Sequence, residues 1–176
     1  NTARAYFVNV PSTQRQGIEV GSEYTADYLR VYANYALVDA TFQFNGILAS
    51  PNNPLADADG SITVRPGNKV PLIPDHQFKA GFDYAITPEW RFGMNMQAFS
   101  SSYFRGDESN LNRKLPPYLV LGLNTTYQVT PQLQVFGLIT NLTNNRYANF
   151  GTYRQPGVVA NLYTTNDPRT TTLAQP

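Results

Sequence analysis

Hydrophobic and polar positions alternate with a period of two along most of the chain, which puts successive side chains on opposite faces of extended strands. From Phe78 one row reads Phe78, Ala80, Phe82, Tyr84 and Ile86, against Gln77, Lys79, Gly81, Asp83 and Ala85. From Leu119 it reads Leu119, Leu121, Leu123, Thr125, Tyr127 and Val129, against Val120, Gly122, Asn124, Thr126 and Gln128. The segment Ile18 to Tyr24 alternates in the same way, with Glu19 and Glu23 on one face. Leu29, Val31, Ala33, Tyr35 and Leu37 oppose Arg30, Tyr32, Asn34 and Ala36, while Phe92, Met94, Met96 and Ala98 face away from Arg91, Asn95 and Gln97. A weaker contrast sets Leu133, Val135, Gly137 and Ile139 against Gln134, Phe136, Leu138 and Thr140. Tyr, Phe, Thr and Val dominate these segments and no capped i, i+3, i+4 stripe appears. The pattern therefore predicts an all-β chain of seven or eight antiparallel strands.

The connections add an asymmetry. Tyr84-Ala85-Ile86-Thr87-Pro88-Glu89-Trp90 and Tyr127-Gln128-Val129-Thr130-Pro131-Gln132-Leu133 write the same tight reversal twice, with Pro where a turn wants a fixed φ and a ladder would want an N–H. Ala26-Asp27-Tyr28 makes a shorter one. The other connections are long: about Asn45 to Ile73, Arg105 to Pro117, and from Asn144 onward. Short turns at one end, long loops at the other and long strands describe the wall of an outer-membrane β-barrel.

Charge sharpens this reading. Only 14% of the 176 residues are charged, and the net charge is +1. A lipid-facing Lys or Arg at midplane costs roughly 2–4 kcal/mol, so strand charges belong on the inward row. Glu19, Glu23, Arg30, Lys79, Asp83 and Arg91 all fall on the polar parity and are expected to face the lumen. Tyr24, Tyr84, Trp90, Phe92 and Tyr127 are expected as the aromatic girdle on the short-turn side. Tyr103, Phe104, Tyr118, Tyr147 and Phe150 are expected as the girdle on the loop side. A soluble sandwich alternates equally well, but its strands average about 5–6 residues, whereas Leu29 to Phe44 runs without a Gly or Pro. No apolar run is long enough for a membrane helix: Leu115 to Asn145 is charge-free but broken by Pro116, Pro117 and Pro131. The opening Asn1-Thr2-Ala3-Arg4 leads into alternation without an apolar leader and reads as internal.

The absence of Cys and the single His remove disulfide frameworks, thiol chemistry and multi-histidine metal sites. No basic run marks a nucleic-acid partner. No cofactor is indicated.

Three short motifs carry a family resemblance: Gln16-Gly17-Ile18-Glu19-Val20, Val70-Pro71-Leu72-Ile73-Pro74-Asp75-His76, and Thr140-Asn141-Leu142-Thr143-Asn144-Asn145-Arg146-Tyr147. In this order they resemble signatures of TonB-dependent outer-membrane receptors, and together they span most of the chain. The resemblance implies a 22-stranded barrel around an N-terminal plug, importing ferric siderophores or similar scarce ligands. Energy would come from the TonB complex acting through the plug. On this reading residues 1–176 are one partial barrel domain, the C-terminal third without its last strand, with plug and coupling box outside it. The expectation is an open, curved sheet that needs the remainder of the barrel and membrane lipid around it, because bare edges leave N–H and C=O groups unpaired.

The long loops are the candidate ligand basin. Tyr103, Phe104, Arg105, Asp107, Glu108 and Arg113, followed by Lys114, combine aromatics with charges that could hold an anionic ferric complex. A solvated loop with internal pairs is the plain alternative. Arg105-Gly106-Asp107 as an integrin-type tripeptide is read as coincidence. Asp57, Asp59 and Gly60 lack the remaining ligands of a calcium loop and read as a turn. His76 reads as a hydrogen bonder at the rim. Asn124-Thr125-Thr126 and Asn141-Leu142-Thr143 match the glycosylation pattern but fall in expected strands. Asp107 and Glu108 are adjacent rather than convergent, and a Ser/His pair would have to use His76, so the chain is not read as an enzyme. A passive porin or adhesin barrel is the alternative function.

Overall fold

A computed structural model describes residues 11–153 and the strand Thr171–Ala174. Among the described residues there are ten strands: β1 (Thr13–Thr25), β2 (Leu29–Phe42), β3 (Gly46–Ala49), β4 (Ser61–Val64), β5 (His76–Ala85), β6 (Trp90–Phe99), β7 (Tyr118–Thr130), β8 (Leu133–Ile139), β9 (Phe150–Tyr153) and β10 (Thr171–Ala174). Six form one antiparallel sheet in the order β1-β2-β5-β6-β7-β8, with β1 and β8 as open edges. Among the described residues this sheet does not close on itself. The small sheets β3-β4 and β9-β10 raise the strand count above the expected seven or eight. They arise in the long connections, where four-residue strands are too short to show a period.

Register turns the separate rows into one surface, because directly paired residues of an antiparallel ladder share a face. Val20 pairs with Tyr35, Tyr35 with Phe78, Phe78 with Ala98, and Ala98 with Leu119. Lower down, Tyr24, Val31, Phe82, Met94, Leu123 and Ile139 pair in sequence across all six strands. This face is apolar from β1 to β8. On β2 it runs from Leu29 to Leu37 and stops at Asp39, which marks the outer limit of the greasy band. The opposite face carries Glu19, Glu23, Arg30, Lys79, Asp83 and Arg91, and Arg15 extends that row.

The turns form as their residues dictate. Ala26 and Leu29 exchange backbone hydrogen bonds around Asp27-Tyr28. At Thr87-Pro88-Glu89 the Thr87 hydroxyl accepts from the Trp90 N–H at 3.1 Å, and at Pro131-Gln132 the Thr130 hydroxyl accepts from the Leu133 N–H at 3.1 Å. The repeated Thr-Pro therefore supplies both the fixed φ and a side-chain acceptor for the returning strand.

The buried apolar residues are Ala40, Phe42, Ile62, Val64, Phe104 and Leu115. All lie at the loop end, and the middle of the sheet contributes none. There Gly93 and Gly122 are buried, and the other wall residues stay exposed or half-buried on both faces.

Candidate lumen wall and extracellular rim

The polar face is the candidate lumen face. Arg30 bridges from β2 to Glu23 on β1 through Nε and Nη2, both at 3.0 Å. Asp83 is the direct β5 partner of Arg30, so a cation sits between two carboxylates near the short turns. Lys79 lies between Asn34 and Gln97 on its flanking strands, and Arg91 lies opposite Ala85 and Thr126.

Four glycines of this face lie under polar side chains from the next strand: Gly21 under Asn34, Gly81 under Tyr32, Gly93 under Asp83 and Asn124, and Gly122 under Asn95. Each is a direct cross-strand pair. Lacking a Cβ, the glycine lets its partner lie flat, which keeps the inner wall low and polar. Sequence reading recorded Gly81 and Gly122 only as members of the wet row, since the pairing depends on register.

The loops form a second, knitted layer. Asp107 is wholly buried and accepts from Asn53 Nδ2, the Ser109 hydroxyl, the Leu111 and Asn112 N–H groups and Asn112 Nδ2, at 3.0–3.4 Å. Gly106 has φ 95°, a left-handed value suited to glycine, and this aims its carbonyl at the Ser50 hydroxyl and Asn53 Nδ2, both at 2.7 Å. Arg105 donates its N–H to the Gly151 carbonyl and accepts from the Tyr153 N–H. The loop between β2 and β5, the loop between β6 and β7, and β9 are thereby tied together.

The expected basin residues consequently separate. Arg105 and Arg113 are exposed and Glu108 is half-buried, its Oε1 accepting from the Gly106 N–H at 3.1 Å. Tyr103 is half-buried under Lys114 Nζ, 4.6 Å from the ring centroid. Phe104 is 8% exposed and stacks on Tyr153 at 5.3 Å. Burial, with the nearby Asp107 charge, raises the pKa of Tyr153. Asp107 and Phe104 build the rim's interior, and Arg105 and Arg113 are displayed on it. The expected long connection from Asn144 onward is described as far as Tyr153 and again at Thr171–Ala174; residues 154–170 lie outside the described residues.

The loop-side girdle is corrected. Phe104 is buried among loop residues, and Phe150 belongs to β9 rather than to the wall. Tyr118 pairs with Phe99 on the polar row, and the rings stack at 5.0 Å. Tyr147 stacks on Tyr118 at 4.5 Å. These three rings make a ladder on the polar face at the long-loop end of the sheet. Parity could have shown this for Tyr118, which falls opposite Leu119. Tyr147 gets there by a turn: Asn141 accepts from the Asn145 N–H and donates to its carbonyl, Asn144 takes φ 47°, and Asn145 Nδ2 donates to the Leu119 carbonyl at 3.0 Å. The motif Asn141-Leu142-Thr143-Asn144-Asn145 therefore ends β8 in a turn, where a strand was expected.

On the outer side of the rim, Lys69 Nζ joins Asp39 at 2.9 Å and Asp75 at 2.8 Å. Burial works against its charge, but the carboxylates of Asp75 and Asp39 outweigh it and hold the pKa above the ordinary lysine value. His76 Nδ1 meets the Tyr35 hydroxyl at 2.8 Å, as expected of a rim hydrogen bonder. Asp59 accepts from the Ser61 N–H, and the Gly60 N–H donates to Asp57, which makes the Asp57 to Gly60 stretch a turn. Among the described residues no group of three or more His, Asp or Glu could hold a metal.

Residues 1–142 match the protein-family model described as TonB dependent receptor-like, beta-barrel. The fold is similar to that of the siderophore receptor PiuA from Acinetobacter baumannii, with 18% identity and a TM-score of 0.65 over 80% of this chain and 19% of that one. The ferric citrate transporter FecA in the unliganded form gives 22% identity and a TM-score of 0.60 over 82% and 21%. The ferric-catecholate import receptor Fiu from E. coli, in a closed form, gives 20% and 0.60 over 81% and 19%. The chain spans about a fifth of the length of these structures. No curated protein sequence matches it.

Proposed function

The chain belongs to the TonB-dependent receptor β-barrel family, and on that premise we propose that it supplies wall and extracellular rim to an outer-membrane receptor that imports a ferric siderophore. The observation carrying the membrane part is the continuous charge-free band across six paired strands, ending at Asp39 on β2 and opposite a row that holds seven charges. The apolar face meets lipid and the polar face surrounds the lumen. The knitted loops form the basin, with Arg105 and Arg113 placed to attract an anionic ferric complex. The similar folds named as siderophore, ferric citrate and ferric-catecholate receptors support the choice of ligand class. TonB supplies the energy through a plug domain, and the protein is a transporter rather than an enzyme.

The test is iron-limited growth of cells carrying the complete receptor on a panel of ferric siderophores. Growth on at least one, lost when TonB is deleted, is expected. Uptake unchanged without TonB would instead indicate a passive pore.

A further inference from the structure

Three aromatic rings stand where the wall is otherwise wet. On β6 the polar row below Phe99 reads Arg91, Gly93, Asn95 and Gln97, and on β5 it reads Gln77, Lys79, Gly81 and Asp83. At the long-loop end the row turns aromatic. Phe99 stacks on Tyr118 with ring centroids 5.0 Å apart and planes at 30°, and Tyr118 stacks on Tyr147 at 4.5 Å and 19°. Lipid does not account for them, because Phe99 and Tyr118 lie on the face away from the apolar band. Nor do they belong to the buried apolar set that holds the loops together: all three rings are only half-buried. Ring surface left open to water is costly, and a flat aromatic guest would cover it.

Cations stand above the ladder. Ser102 and Leu115 pair in the same register as Phe99 and Tyr118. That register brings Tyr103 and Lys114 together next, with Lys114 Nζ over the Tyr103 ring at 4.6 Å. Arg105 and Arg113 follow toward the tip of the same hairpin, both exposed. None of these three cations is in an ion pair among the described residues. The loop's own carboxylates are engaged elsewhere, Asp107 in its buried cage and Glu108 on the Gly106 N–H. One hairpin thus offers stacked rings at its base and uncommitted positive charge above them.

We propose that the ladder Phe99-Tyr118-Tyr147 receives aryl rings of the ligand, and that the ferric complex is of the catecholate class, an iron wrapped by dihydroxyaryl groups. The inference rests on the reading of the protein as a ferric-siderophore receptor. Such a complex is strongly anionic and faced with flat rings, so it uses both halves of the hairpin, charge-assisted bonds to the cations and stacking on the ladder. A carboxylate complex offers charge but no ring, and a ferric tris-hydroxamate built on aliphatic chains offers neither.

The test measures binding of radioiron by the complete receptor in lipid vesicles, supplied as a ferric tripodal tris-catecholate, as ferric citrate and as a ferric tris-hydroxamate. The tris-catecholate is expected to bind at least about tenfold more tightly than the other two. Tyr118→Leu and Tyr147→Leu keep apolar bulk without the ring, and each should weaken its binding roughly three- to tenfold, the worth of one ring–ring contact. Tyr118→Phe should keep wild-type affinity. Tyr147 lies outside the strands, so its variant tests the ladder even where Tyr118→Leu folds poorly, and heat-modifiable migration checks the fold of each. Equal or tighter binding of ferric citrate or the tris-hydroxamate overturns the ligand class and leaves the siderophore reading intact. A preference for the tris-catecholate that survives undiminished in both leucine variants, or is lost equally in Tyr118→Phe, overturns stacking on the ladder. Binding of none of the three overturns the ligand class, and when joined to no growth on any ferric siderophore it overturns the siderophore reading as well.

Discussion

Met94 offers the sharpest check on which face meets lipid. It stands between Phe82 and Leu123 on the apolar face, in the middle of a row from Trp90 to Ala98. That row covers about eight residue steps of roughly 3.3 Å, or about 26 Å along the strand and about 20 Å along the barrel normal at a tilt near 40°. The apolar band of such barrels is roughly 25 Å tall, so Met94 lies close to the bilayer midplane. An Arg there should cost about 2–4 kcal/mol, and one near the end of the row, at Ala98, about 0–1 kcal/mol. Asn95, one residue along, lies on the opposite, polar face between Gly81 and Gly122, and if that face lines the lumen as proposed, Asn95→Arg should cost nearly nothing because its charge stays in water. The measurement is urea unfolding of the complete receptor refolded into lipid vesicles, for wild type and the three variants. The order Met94→Arg, then Ala98→Arg, then Asn95→Arg is required. If Asn95→Arg were as damaging as Met94→Arg, the assignment of faces would be wrong.

Further outcomes follow from the wall and rim. A Cβ at Gly81 would lie 2.6 Å from Tyr32 Oη and 2.7 Å from the Met94 carbonyl, whereas at Gly122 it meets only the Asn95 side chain, from 2.8 Å. Gly81→Ala should therefore lose about 1–3 kcal/mol in the same assay and Gly122→Ala distinctly less; equal losses would show that backbone crowding is not the cause. Asp107→Ala strands donors that cost about 1–3 kcal/mol each if left unpaired. It should open residues 100–117 to proteolysis while leaving heat-modifiable migration unchanged, and undiminished protection would count against the buried cage. The raised pKa of Lys69 means that its contribution is complete below the unfolded lysine value near 10.4 and is lost as pH rises through the folded one. Thermal stability should thus fall less between pH 9 and 11.5 in Lys69→Met than in wild type, and parallel curves would refute the linkage.

The wall was legible because a strand's period is short and local: Phe78 to Tyr84 and Leu119 to Tyr127 announce their faces without knowledge of their neighbours. Register was not legible, and it decides what the rows do together. It puts Gly81 under Tyr32 and Asp39 just beyond the greasy band. The rim was less legible still. Asp107 looked like a ligand-binding carboxylate because it sits among aromatics and cations in a loop, but its partner Asn53 is 54 residues away, and no periodicity reports contacts between loops. Tyr118 was misread for a different reason, since its parity was available and the girdle expectation overrode it.

The position of the dry core carries a consequence for binding. In the bilayer that the proposed function requires, the wall would need no apolar interior of its own, because lipid would cover one face and ladder hydrogen bonds hold the strands. The loops stand in water, without that support, and the buried residues gather there: Phe42, Ile62, Val64, Phe104 and Leu115. Together with the Asp107 cage they fix the rim before any ligand arrives. A ligand that engages Arg105 or Arg113 meets a surface already ordered, so the conformational entropy of folding the loops is not subtracted from its affinity. Loosening the cage should therefore weaken ligand binding at those arginines even though Asp107 itself touches nothing outside the protein.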